Sequence, residues 1–228
     1  MRIVVNEQQL ADINALANWR CGQDFDGVRI GGSERMFAPI DARVAALAER
    51  VDVKGLSVLE IGCLEGCITA GLCNTGAHVT ALDARPECAL KTFLRCLALG
   101  FHPTILLSDA RDPLLCRYDI VFHAGVLYHL ADPVAHFRSL CSVAPIVFLD
   151  THTARPGREI EQVADFDGEW YAEYGWTDEF SGLEERSFWL TKESLYRLID
   201  ECGFDRETIK EDEGAENGPR GWYLLRKR

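Results

Sequence analysis

From residue 56 onward the chain alternates short apolar runs with longer amphipathic stretches. The runs are SVLEI (57–61), HVTALD (78–83), TILLSD (104–109), YDIVFH (118–123) and PIVFLD (145–150). Between them lie helical stretches around 66–75, 86–99 and 133–142. Asp132-Pro133 suits the start of the last one, a capping residue followed by proline at the first helical position. Strand–helix alternation at this spacing predicts an α/β fold, with parallel strands and helices on both faces of the sheet. After Gly203, FDRETIKED and GWYLLRKR read as the two strands of a closing hairpin.

Upstream, residues 7–20 show helical spacing, with Leu10, Ile13, Leu16 and Ala17 on one face. Residues 21–40 are glycine-rich and irregular, and Asp41 is placed to cap a helix in ARVAALAERV. Residues 1–54 therefore read as an N-terminal helical cap and substrate-side segment, ahead of a domain over 55–228. One stretch breaks the alternation. Residues 151–189 hold Trp170, Tyr171, Tyr174, Trp176, Phe180, Phe188 and Trp189 among many acids. They follow the fifth strand, at the sheet end where open α/β folds bind ligands, and read as a lid-like insertion or an excursion with a small core of its own.

Composition narrows the classes. The 228 residues suffice for one sizeable domain. The net charge of −12 and scattered Lys and Arg disfavour binding to phosphate backbones. Nine cysteines, an odd number at scattered spacing, argue against a disulfide framework. The opening MRIVVNEQQL lacks an apolar signal core, and no apolar run reaches the ~20 residues of a membrane helix. The expectation is a cytoplasmic protein with most thiols buried as small hydrophobes.

VLEIGCLEG, at 58–66, looks like a nucleotide loop without its middle glycine. A pyrophosphate needs close backbone approach at a helix N-terminus, which Leu64 would crowd and Glu65 would repel. A cofactor without phosphates meets neither objection. S-adenosylmethionine is one, and its ammonium wants an acid such as Glu60 at the end of the first run. Asp83 ends the second run, 21 residues after Gly62, where an acid reaches a ribose diol. Asp109 ends the third, in place to accept from an adenine amino group.

VLEIGCLEG, ALDAR, SDAR and GVLYHLADP together resemble the class I S-adenosylmethionine-dependent methyltransferases, closely over about 55–150. FWLTKESLYRLIDECGF and NGPRGWYLLRKR are similar to the C-terminal part of a bacterial subgroup with a Leu-Glu-Gly loop. GVLYHLADP also resembles the tRNA wobble-uridine carboxymethyltransferases. The resemblance implies a Rossmann-like, seven-stranded, mostly parallel sheet with an antiparallel last strand. It assigns the cofactor to Glu60, Gly62, Cys63, Leu64 and Gly66, to Asp83, Ala84 and Arg85, to Asp109 and Ala110, and to His123 and Ala124. The family usually has a third glycine where Leu64 stands. His123-Ala124-Gly125 replaces the family's Asn/Asp-Pro-Pro-Tyr, which argues against a base amino group as acceptor.

Methyl transfer is an in-line displacement that needs alignment, and a base if the nucleophile carries a proton. His129 follows the fourth run and His152 the fifth, so both are base candidates, and Asp150 is in place to orient one of them. Tyr128 matches the tyrosine that lies near the transferred group in the carboxymethyltransferases. His78 and His136 read as structural or solvated. Cys63/Cys67 and His123/His129 lack zinc spacing, so no metal is expected. The leading expectation is a methyltransferase acting at oxygen or nitrogen of a small molecule. The alternatives are an RNA-modifying methyl or carboxymethyl transferase and a catalytically silent S-adenosylmethionine-binding subunit. The oligomeric state is left open.

Overall fold

The structure is a computed structural model that describes residues 19, 21–25, 28–30, 41–112 and 116–228. The expected helix over 7–20 lies outside the described residues. Within the stretch read as irregular, Gln23–Phe25 (β1) and Val28–Ile30 (β2) pair as a short antiparallel ribbon. Two compact units divide the chain, residues 1–109 and 110–228.

In the first unit, Asp41 caps Ala42–Ala48 (α1) through the Arg43 amide, as its side chain type predicts. Ser57–Ile61 (β3), Cys67–Asn74 (α2), His78–Asp83 (β4), Pro86–Ala98 (α3) and Thr104–Leu107 (β5) follow. β3 pairs parallel with β4, and β4 with β5. Val58, Leu59, Ile61, Ala81 and Leu82 are buried, because strands covered on both faces carry continuous apolar runs.

The second unit holds Ile120–Ala124 (β6), Pro133–Leu140 (α4), Ile146–His152 (β7), Lys192–Glu201 (α5), Phe204–Asp212 (β11) and Arg220–Lys227 (β12). β6 pairs parallel with β7, and Phe122 and Phe148, opposite each other in register, stack at 4.7 Å between centroids. β12 is antiparallel to both β7 and β11, which is the closing hairpin. The sheet has seven strands in the order β11-β12-β7-β6-β3-β4-β5, Rossmann-like and mostly parallel with an antiparallel last strand.

The stretch 151–189 is more regular than its composition implies. Glu161–Val163 (β8), Phe166–Ala172 (β9) and Arg186–Leu190 (β10) form a three-stranded antiparallel sheet, in the order β10-β9-β8. Phe166 of β9 and Phe188 and Trp189 of β10 are buried. Gly168 has no room for a side chain, since a Cβ there would collide with the Trp189 carbonyl and the Phe188 ring.

Candidate functional site

The first unit carries the loop between β3 and α2. Gly62 and Gly66 adopt left-handed backbone with φ near 75°, and Leu64 does so with φ 50°. Leu64 thus takes a backbone conformation that glycine adopts freely, at a conformational cost of ~1–2 kcal/mol. Asp83 holds that path: one carboxylate oxygen accepts from the Leu64 amide and the other from the Arg85 amide, both at 2.9 Å. Burial raises the Asp83 carboxyl despite these bonds. Two backbone donors leave lone pairs on each oxygen for further donors. Ala84 and Arg85 lead into α3, with Arg85 at its N-cap and Pro86 at its first turn.

Glu60, at the carboxyl end of β3, is 1% exposed. Its Oε2 accepts from the Thr69 hydroxyl at 2.5 Å, while Oε1 has no hydrogen-bond partner. Desolvation pushes this carboxyl up to about 8, against the opposing pull of the Thr69 bond. A buried acceptor left without a donor is what a ligand ammonium would satisfy. The residues present therefore fit the amino end of S-adenosylmethionine. Cys63 contributes backbone: its amide and that of Gly62 donate to the Leu82 carbonyl, and the thiol sits 3.3 Å from the Thr92 hydroxyl.

Asp109 does not end β5, which stops at Leu107; Asp109 and Ala110 lie in the following turn. A Ser-Asp-Ala stretch after the exposed Leu107 leaves the apolar pattern that holds a strand in the sheet.

Sequence reasoning missed a buried polar knot behind this loop. Glu65 and Lys91 are each 1% exposed and pair at 2.8 Å. Glu65 also accepts from the Cys21 amide at 2.6 Å. Arg95 donates to the carbonyls of Glu65, Gly22 and Cys21 and lies over the Trp19 ring at 5.2 Å. These contacts tie Trp19, Cys21 and Gly22 to the loop and to α3. The signal was present: Cys88, Lys91, Thr92, Arg95 and Cys96 share one helical face, so two cations stand in an apolar stripe.

The second unit gathers the aromatic and histidine candidates. After β6, Leu127–His129 forms a single 3-10 turn. Tyr128 packs against His129, His152 and Trp189 with centroids 4.2, 4.7 and 5.5 Å away. His129 Nδ1 lies 2.8 Å from Glu173 Oε1. An ionised carboxylate only accepts, so Nδ1 carries the proton and Nε2 is left as a base. Glu173 also accepts from the Ser181 and Ser187 hydroxyls and the Gly182 amide, at 2.5, 2.7 and 2.8 Å. Glu173 is largely buried, and these bonds hold its carboxyl below the ordinary range despite that burial.

Three expectations change here. Asp150, expected to orient a histidine, binds Arg220 through both oxygens, at 2.6 Å each; the β7–β12 register sets Arg220 opposite His152, two residues along from Asp150. His152 is the last residue of β7 and not a loop residue, and its Nδ1 donates to the Gly218 and Pro219 carbonyls at 3.0 and 3.2 Å. Burial lowers its basicity, and Trp189 stacks on its ring at 5.0 Å. The His123 ring is fully buried and turned to His136, with Nε2 atoms 2.9 Å apart, so only its backbone and that of Ala124 are offered at the end of β6. Burial and His136 hold His123 neutral. His136, read as structural or solvated, is buried against His123. A small cavity is lined by Leu127, Tyr128, Pro133, Thr151, His152, Phe188, Leu190 and Leu195. Among the described residues there is no cluster of His, Cys, Asp and Glu able to hold a metal, and no helix long and apolar enough to cross a membrane.

A family model described as a methyltransferase domain matches residues 33–209, and the chain belongs to that family. A ubiquinone biosynthesis O-methyltransferase of Xylella fastidiosa is 28% identical over 130 residues, 56% of this chain and 49% of that protein. Another, from Cereibacter sphaeroides, is 26% identical over 178 residues, 76% of this chain and 68% of that protein. The chain spans about half the length of the first of these relatives. The N-terminal domain of EvdMO1 with SAH bound superposes with a TM-score of 0.85 at 24% identity, covering 99% of this chain and 98% of that one. Magnesium protoporphyrin IX methyltransferase from Synechocystis PCC 6803, with bound SAM, does so with a TM-score of 0.59 at 19% identity, over 82% and 77%. Both structural likenesses speak to the fold.

Proposed function

We propose that this chain is an S-adenosylmethionine-dependent methyltransferase acting at oxygen or nitrogen of a small molecule. The observation that carries the reading is Glu60: a buried carboxylate with one oxygen unmatched, at the end of the strand that enters a two-glycine turn. Glu60 would take the cofactor ammonium, Asp83 the ribose diol and Asp109 the adenine amino group, with the loop backbone of Gly62 to Gly66 alongside. Bound there, S-adenosylmethionine supplies an electrophilic methyl on a sulfonium. The relatives, ubiquinone biosynthesis O-methyltransferases among them, support a small-molecule acceptor.

The chain's own chemistry is the handling of a proton. With Nδ1–H held by Glu173, His129 presents Nε2 as the general base for an acceptor hydroxyl, and Glu173 stabilises the imidazolium that forms. Glu173 touches no acceptor in this scheme; it positions His129. Tyr128, His152 and Trp189 form an aromatic surface suited to an apolar or planar acceptor. The insertion at 151–189 supplies Glu173 and Trp189 to this site. Much of the expected substrate-side segment over 1–54 lies outside the described residues.

The test is to incubate the protein with S-adenosylmethionine and panels of phenols, hydroxylated metabolites and amines, following the demethylated cofactor by mass spectrometry. Methylated acceptor and demethylated cofactor in equal amounts are expected. Cofactor binding with no turnover on any panel would overturn the enzyme reading in favour of a silent binding subunit.

A further inference from the structure

At the other end of the second unit's strands, two helices finish on a cysteine. Cys141 is the C-cap of α4 and precedes β7; Cys202 is the C-cap of α5 and precedes β11. β12 runs antiparallel between β7 and β11, and Lys227 near its end bonds across the gap. Its ammonium donates to the Cys141 carbonyl at 3.2 Å and to the Cys202 carbonyl at 3.0 Å. The Cys141 amide donates to Arg138 and its thiol to the Phe137 carbonyl. The two residues, 61 positions apart in sequence, are thus gathered around one ammonium, and both are half-buried, so a small reagent can reach their thiols.

We propose that Cys141 and Cys202 are a redox-active dithiol, oxidised to an intramolecular disulfide by low-molecular-weight disulfides of the glutathione type. The thiolate of Cys141 attacks one sulfur of the reagent and expels one thiol. The Cys202 thiol, losing its proton to solvent, then displaces the second. Two protein thiols are oxidised and one reagent disulfide is reduced to two thiols. Cys141 is the attacking group because the Cys202 hydrogen bond, with Lys227 and Arg138 nearby, lowers its thiol to about 7, whereas Cys202 is pushed up. Arg138 also pairs with Glu201 at 3.4 Å, so Lys227 is the cation most directly at the carbonyl side of the pair. The staple would fasten the far ends of α4 and α5, the helices that contribute Pro133 and Leu195 to the cavity wall. This inference stands apart from the methyltransferase reading.

The full chain is equilibrated with oxidised glutathione at pH 7, alkylated, digested and mapped by mass. The expected product links the Cys141 and Cys202 peptides, is absent in Cys202→Ser, and raises Tm by about 5–10 °C in the parent chain. Before oxidation, Cys141 should react with iodoacetamide at least several-fold faster than the exposed Cys116. The proposal is overturned if glutathione stays on Cys141 while Cys202 remains free, or if Cys116 is modified and the pair is not. Equal alkylation rates of Cys141 and Cys116 would contradict it independently of any disulfide.

Discussion

Replacing Glu60 by Gln should make the ligand-free protein more stable, and increasingly so as pH rises. In the fold this carboxyl ionises near 8, against 4.5 for the ordinary group, because water is excluded from it. A folded value raised above the unfolded one means the stability is fully present below pH 4.5 and is lost as pH climbs through 8. At ~1.4 kcal/mol per pH unit, the raised value costs the fold about 3 kcal/mol at pH 7, where the unfolded chain has released this proton and the fold retains it, and at most about 5 kcal/mol well beyond pH 8. Gln removes that cost and still accepts from Thr69, but it places an amide donor where Oε1 stood, at ~1–3 kcal/mol. The variant should therefore lie close to the parent at pH 5 and gain on it by several kcal/mol by pH 8.5, about 10 °C in Tm for a chain of this size. Thermal unfolding of both proteins without ligand, at pH 5, 7 and 8.5, reads the difference and cancels every other titrating group. A difference constant across that range would refute the assignment of Glu60 as a carboxyl strained by burial.

Once an acceptor is in hand, His129→Ala should keep cofactor affinity and lose turnover by ~10²-fold or more, with partial recovery at high pH, whereas His152→Ala should fall far less; parent rates in both variants from pH 6 to 9 would remove the histidine base. Glu173→Gln should weaken both turnover and stability by ~2 kcal/mol at pH 7, and because the Glu173 carboxyl is held below its ordinary value the stability loss should shrink as pH falls below 4.5, read by urea unfolding. Lys91→Met removes the ammonium paired with the buried Glu65 and should cost ~3–5 kcal/mol, and adding Glu65→Gln should recover part of it in a double-mutant cycle. Asp83→Ala should free the Leu64 amide and weaken cofactor binding by ~2 kcal/mol in calorimetry.

Most of the sheet was legible because its strands are buried on both faces, so Ser57–Ile61 and His78–Asp83 stand out as apolar runs whose ends coincide with those in the structure. β7 ran two residues further than expected because Thr151 and His152 are polar yet buried and pair with Gly221 and Arg220. The sheet of β8, β9 and β10 was hidden for a related reason: its buried positions include Gly168, Glu169 and Ser187, so no apolar alternation marks it. Glu169 is tolerated there because Arg155 meets it with two bonds at 2.9 and 2.7 Å. The candidate site was legible where polar residues end or follow strands, as at Glu60, Asp83 and, in the turn after β6, His129. It was illegible where a partner comes from afar: Glu173 lies 44 positions from His129, one acid among 36, and only the β9–β10 pairing brings its serines around it.

The central claim is that the buried Glu60 carboxyl receives the ammonium of S-adenosylmethionine, and proton release on binding tests it most directly. At pH 7 Glu60 is mostly protonated without ligand, and an ammonium beside it favours the ionised form. Titration calorimetry at pH 7, in two buffers of different ionisation enthalpy, should show close to one proton released per cofactor bound. Glu60→Gln should show weaker binding and no such release. Equal affinity and equal proton uptake or release in the two proteins would contradict the account.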